Sequence, residues 1–117
     1  MTTGSDDRPP LPGAVLFACN FNRVRSPMAE ALAKALVGDR VFVDSCGLKP
    51  DGAAEAEGAD PFVQAVMAEI GVDLAAHRPK TFDELEDASF DVVISLTPEA
   101  QHRAVELARH NAVEIEY

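Results

Sequence analysis

Cys19 is followed, after five residues, by Arg25 and Ser26, and that pair leads directly into Pro27 and an apolar pattern at helical spacing. A thiol, a guanidinium and a hydroxyl in this order are the groups needed to attack and hold a tetrahedral oxyanion. The loop Cys19-Asn20-Phe21-Asn22-Arg23-Val24-Arg25-Ser26 can turn successive N–H groups inward. Together with the positive end of the following helix, they would cradle a phosphate-like dianion. The same field favours Cys19 as the thiolate, the nucleophilic form. Arg25 offers a planar fork for two equatorial oxygens. Ser26 offers its hydroxyl to the Cys19 sulfur, both at rest and when the sulfur leaves in a second step. Neither a metal nor a cofactor is needed for this chemistry.

Each residue also has a plainer reading. A cysteine on an apolar strand is usually packing, Ser-Pro at a helix start is usually a cap, and a lone arginine is usually solvated. What favours the site is their joint placement at a strand end, a loop of fixed length and a helix start.

That placement depends on the elements around the loop. Ala14 to Cys19 is a short continuous apolar run, the pattern of a strand buried on both faces of a parallel sheet. Ser26 and Pro27 predict an N-cap and first helical residue, and Met28, Leu32, Ala35 and Leu36 a stripe that ends at Gly38 in a left-handed terminator. Val41 to Ser45 predicts a second strand and Cys46 to Gly58 a long loop. Asp60-Pro61 predicts a capped helix with Phe62, Val66, Met67 and Ile70 as its apolar stripe, closed by Gly71. A short turn over Thr81 to Leu85, a third buried strand over Asp91 to Leu96, a helix from Pro98 to about Arg109 and an extended piece from Ala112 to Glu116 follow. This order predicts an α/β domain with an open parallel four-stranded sheet, right-handed crossovers and helices on both faces. Ligands in such sheets bind beyond the carboxyl ends of the strands, where Cys19 lies.

The chain has 117 residues, 47% of them hydrophobic, which suits one globular domain. Residues 1–13, polar and rich in Pro and Gly, are expected to form a flexible leader, and residues 14–117 the domain. A formal net charge of −10 disfavours nucleic acid and anionic membrane as partners. Arg23 and Arg25 form a basic pair suited to one phosphate-sized group. No signal-peptide core and no bilayer-length apolar run is present, so the expected compartment is the cytoplasm. The two cysteines, Cys19 and Cys46, are too few for a disulfide framework or a four-cysteine zinc site.

Val15-Leu16-Phe17-Ala18-Cys19, then Asn22, then Arg25-Ser26-Pro27-Met28-Ala29-Glu30-Ala31 closely resembles the signature of the low-molecular-weight tyrosine phosphatases and their arsenate reductase relatives. Ser45-x-Gly47, Asp60-Pro61, Gly71-Val72-Asp73 with His77-Arg78, and Phe90-Asp91-Val92-Val93-Ile94 continue the likeness in order, from Ala14 onward. The resemblance implies strand order 2-1-3-4 and a phosphocysteine mechanism at Cys19 with Arg25 and Ser26. It also implies phosphate binding by the loop from Asn20 to Arg25, acting on a phosphorylated protein or small phosphomonoester, with inorganic phosphate or another tetrahedral oxyanion as ligand. Asn22 is then expected in a strained left-handed conformation, its amide locked by Ser45 and His77.

Three departures stand out. Phe21 replaces a small glycine, and Val24 replaces a second cysteine that protects the nucleophile in many members. The family's general acid, an aspartate in an Asp-Pro loop after the fourth strand, and its C-terminal helix both lie beyond Tyr117, so the domain is expected to be a truncated piece. Without that acid, turnover would fall roughly a hundred- to ten-thousand-fold. Two further functions compete with the phosphatase reading: a phosphate-reading module without catalysis, and an arsenate reductase, which would need more thiols than Cys46 supplies.

Overall fold

The computed structural model of the chain describes residues 12–48, 59–85, 90–108 and 114–117. The expected leader, up to residue 11, and most of the expected loop after Cys46 lie outside the described residues. Strands β1 (Ala14–Cys19), β2 (Phe42–Gly47), β3 (Val92–Ser95) and β4 (Glu114–Glu116) form one sheet in the order β2-β1-β3-β4. Every pairing is parallel, with Ala14 opposite Phe42, Cys19 opposite Gly47, Ala18 opposite Ser95 and Val92 opposite Glu114. The carboxyl ends of the three longest strands therefore coincide. Helices α1 (Arg25–Val37), α2 (Pro61–Glu69) and α3 (Pro98–Ala108) complete the described architecture, with 3₁₀ turns at Gly38–Arg40 and Phe82–Leu85. The α/β class, strand order and helix placement are those expected.

Side-chain alternation along β1 sorts the core into two layers. Leu16 and Ala18 join Cys46, Val93, Phe82 and Phe90 against Ala100 and Ala104 of α3. Val15 with Val43 and Val41 faces Ala33 and Val37 of α1 on the opposite side. Each large side chain so buried, such as Leu16 or Val93, contributes about 1.5–3 kcal/mol. Asp91 ties the two central strands at their starts, its Oδ2 accepting from the N–H groups of Gly13 and Ala14 at 2.8 and 2.9 Å. No described helix is long and apolar enough to cross a membrane.

Two helix faces differ from the sequence reading. In α1, Leu32 and Leu36 are exposed, and the helix packs through Met28 and Ala31 toward α2 and through Ala33 and Val37 toward the sheet. In α2, Val63 and Met67 are buried, while Phe62, Val66 and Ile70 are exposed. The cause is geometric: α1 packs against the sheet on one side and against the Val63 and Met67 cluster on another, and those contacts run through Ala33 and Val37 and through Met28 and Ala31. A stripe of the largest apolar residues does not mark such a helix. Gly38 has a positive φ of 60°, as a terminator should, but its ψ of −133° lies outside the left-handed helical well, and a 3₁₀ turn follows.

Candidate active site

The start of α1 also departs from expectation. The helix begins at Arg25 with Val24 at the cap position, and no side chain caps it. Ser26 is fully buried inside the first turn. Its hydroxyl is spent elsewhere, so the first N–H groups of the helix remain available to a ligand at the loop. At α2, by contrast, Asp60 Oδ1 accepts from the N–H groups of Phe62 and Val63, closing that helix end.

The loop between β1 and α1 is held from outside by its carbonyls. The N–H of Leu48 donates to the carbonyls of Cys19 and Asn20 at 3.1 and 2.8 Å, and the N–H of Asp60 donates to that of Arg23 at 3.0 Å. His77 Nε2 donates to the Asn22 carbonyl at 2.9 Å, and the N–H of Met28 to that of Val24 at 3.3 Å. In a planar trans peptide the N–H points opposite to the carbonyl. Anchoring these carbonyls therefore turns the N–H groups of Asn20, Phe21, Arg23, Val24 and Arg25 away from their anchors, toward a common interior. Gly47 is required for this closeness: a Cβ there would stand 2.7 Å from the Phe21 carbonyl carbon and 2.8 Å from Asn20 O and Asn22 N.

Asn22, fully buried with φ 59°, is the loop's hub. Its Nδ2 donates to Ser26 Oγ at 2.8 Å and to Ser45 Oγ at 2.9 Å, and its Oδ1 accepts from the N–H of Lys80 at 3.0 Å. Ser45 in turn donates to Glu30 Oε1 at 2.5 Å. Asn22 thus fills one acceptor site of Ser26, whose single proton lies between Cys19 Sγ at 2.9 Å and the Cys46 carbonyl at 3.4 Å; a Cys19 thiolate, which can only accept, takes it through the shorter contact. His77 grips the backbone of Asn22, not its amide as expected; Ser26, Ser45 and the Lys80 backbone hold the amide. Both Nδ2 protons of Asn22 go to Ser26 and Ser45 and its Oδ1 takes the Lys80 N–H, so the ring N–H goes to the backbone carbonyl instead.

These elements enclose a cavity of about 290 Å³ lined by Cys19, Asn20, Phe21, Arg23, Val24, Arg25, Asp60 and Thr97. A phosphoryl group and part of its substituent fit this volume. Arg25 is exposed beside Cys19, and Phe21 and Val24, 39% and 44% exposed, supply apolar surface at the mouth. The sequence reading omitted Thr97, which reaches the site from the far end of β3, and Asp60, whose capping role alone was recognised. It also omitted Glu30 and Lys80 behind the loop. An Asp-Pro cap carries a helix signal that conceals its second position, and Thr97 carries no local signal at all.

Cys46 lies on the strand beside Cys19 but points into the α3 layer with Leu16 and Ala18. Burial pushes its thiol well above the usual range, and the nearby Cys19 and Asp44 add to the effect, while Lys80 and Arg103 oppose it. It is a packing residue held as the neutral thiol.

The model of one protein family, low molecular weight phosphotyrosine protein phosphatase, matches residues 14–117. A glutaredoxin arsenate reductase of Synechocystis is 37% identical over 82 residues, which are 70% of this chain and 58% of that protein. A low molecular weight protein-tyrosine-phosphatase of Streptomyces coelicolor is 40% identical over 87 residues, 70% of this chain and 51% of that one. The chain thus spans between half and three fifths of the length of these relatives. The crystal structure of a tyrosine phosphatase of Erwinia amylovora superposes with a TM-score of 0.71 at 24% identity, covering 90% of this chain and 67% of that one, a likeness of fold.

Proposed function

From membership of the low molecular weight phosphotyrosine protein phosphatase family, to which this chain belongs, we propose that it hydrolyses phosphomonoesters, phosphotyrosine on proteins foremost, through a phosphocysteine at Cys19. The observation that carries this reading is the Ser26 hydroxyl 2.9 Å from Cys19 Sγ, closer than its other acceptor, the Cys46 carbonyl at 3.4 Å, so that it is placed to donate to a Cys19 thiolate. In the first step the thiolate attacks phosphorus, the P–S bond forms, and the P–O bond to the leaving group breaks with its electron pair going to that oxygen. Arg25 and the loop N–H groups hold the equatorial oxygens throughout. In the second step water attacks phosphorus and gives up a proton to solvent, the P–S bond breaks with its electron pair going to sulfur, and the thiolate returns to its hydrogen bond with Ser26 while inorganic phosphate departs. The leaving oxygen also needs a proton. A phenol is acidic enough to leave with little help and take one from solvent, so aryl phosphates are expected to turn over far faster than alkyl phosphates.

The test is Cys19→Ser. Loss of aryl phosphate hydrolysis with an unchanged circular dichroism spectrum is expected, and full activity in that variant would refute the mechanism. Phosphate or vanadate binding by the wild-type chain without turnover would favour the non-catalytic module instead. Arsenate fits the same loop, and relatives that carry the name arsenate reductase support it as a second ligand. Reduction would need an external thiol as reductant, because Cys46 faces the opposite side of the sheet.

A further inference from the structure

Asn20 follows the nucleophile directly and lines the cavity. Its carbonyl is pinned by the N–H of Leu48, and its side-chain Oδ1 accepts from Thr97 Oγ1 at 2.7 Å, across 77 residues of sequence. Thr97 is buried at the start of α3, where its Oγ1 also accepts from the N–H of Ala100 at 3.1 Å. A threonine hydroxyl has one proton. In the 2.7 Å contact that proton goes to Asn20 Oδ1, while the helix N–H takes one of the two lone pairs, and the direction of the bond sets which end of the amide faces inward. With Oδ1 engaged by Thr97, the Nδ2 donors are the end of the Asn20 amide left for a ligand.

We propose that Asn20 Nδ2, oriented by Thr97, is a side-chain hydrogen-bond donor to an oxygen of the bound tetrahedral anion, and that Thr97 is its positioning residue. The inference rests on the oxyanion reading of the same cavity. It assigns a contact beyond the loop N–H groups and Arg25. A flipped amide would turn a carbonyl oxygen toward an anion and strand the Thr97 proton; the threonine selects against it. Because Thr97 stands at the helix start, the α3 cap and the amide orientation are set by one hydroxyl.

The experiment is calorimetric titration of the full chain with inorganic phosphate, which does not depend on turnover, with thermal unfolding followed in parallel. A hydrogen bond to an ionised acceptor is worth a factor of about ten or more in affinity. Asn20→Leu and Thr97→Val should each weaken phosphate binding about tenfold, and the double variant should do no worse than either alone. Thr97→Ser, which keeps the hydroxyl, should recover the affinity lost in Thr97→Val. Unchanged affinity in Asn20→Leu, or losses that multiply to about a hundredfold in the double variant, would overturn the inference. A Thr97→Val variant that unfolds at lower temperature yet binds phosphate normally would reduce Thr97 to a cap and overturn its positioning role. Should wild-type chain bind no phosphate, the oxyanion reading falls and this inference with it; should Arg25→Ala alone lose binding, only this inference falls.

Discussion

Cys19 and Cys46 sit on adjacent parallel strands one register step apart, and their side chains leave the sheet on opposite faces. Cys19 Sγ meets Ser26 on the α1 side, whereas Cys46 packs among Leu16 and Ala18 under α3. A disulfide between them would have to pass through the sheet. Mild peroxide should therefore convert Cys19 to the sulfenic acid and onward without forming an intramolecular disulfide. Mass spectrometry of oxidised, alkylated chain checks this: a Cys19–Cys46 crosslinked peptide would contradict the strand register. Alkylation of the native chain near neutral pH should modify Cys19 only, because burial keeps the Cys46 thiol protonated; Cys46 should react after unfolding.

Gly47 stands where three backbone atoms of the loop crowd its Cα. None of them belongs to a flexible side chain, so Gly47→Ala must displace the loop itself. A shift of a few tenths of an ångström to 1 Å misaligns the N–H groups and should cost about tenfold to a hundredfold in kcat/KM for an aryl phosphate. The comparison that checks the cause is Gly38→Ala, where a Cβ meets nothing within 4 Å. There the positive φ should cost about 1 kcal/mol of stability and leave kcat/KM within about twofold.

Asn22 combines two separable duties, its left-handed backbone and its amide bonds to Ser26, Ser45 and the Lys80 backbone. Asn22→Ala loses both, and should destabilise the chain by about 3–5 kcal/mol through the strained φ and the unpaired buried hydroxyls. Asn22→Gly removes the φ strain but not the lost hydrogen bonds, so it should recover only about 1 kcal/mol of that loss. Urea unfolding of the three chains measures both steps. Equal stability of the Ala and Gly variants would mean that backbone strain at this position is negligible.

The strands and the loop were legible in the sequence because their signals are local: an apolar run ending in Cys19, and Arg25-Ser26 opening a helix. Two local signals misled. Ser26-Pro27 has the form of a cap, yet Ser26 lies inside the first turn because its hydroxyl binds sulfur, and the Asn22 amide competes successfully for it. The largest apolar residues of α1 and α2 point outward, since helix packing here runs through Ala31, Ala33 and Val63. Asn20 with Thr97, and Arg23 with Asp60, meet only because parallel strands bring their carboxyl ends to one edge. Such pairings have no signature in either segment alone.

Phe21 occupies the mouth of the cavity, where a small glycine is usual in the resembled signature, and lies beside Val24. An aromatic ring against a phenyl leaving group contributes about 0.5–1.5 kcal/mol beyond area burial, a factor of about two to ten. Inorganic phosphate has no ring to meet it. Phe21→Ala should therefore weaken aryl phosphate binding about two- to tenfold more than it weakens inhibition by inorganic phosphate, with most of the difference in KM and little in kcat. Steady-state kinetics with an aryl phosphate, with and without inorganic phosphate as competitor, gives both numbers from one preparation. Equal losses for the two ligands would show that Phe21 shapes the anion cradle through its backbone, and would remove the ring from substrate recognition.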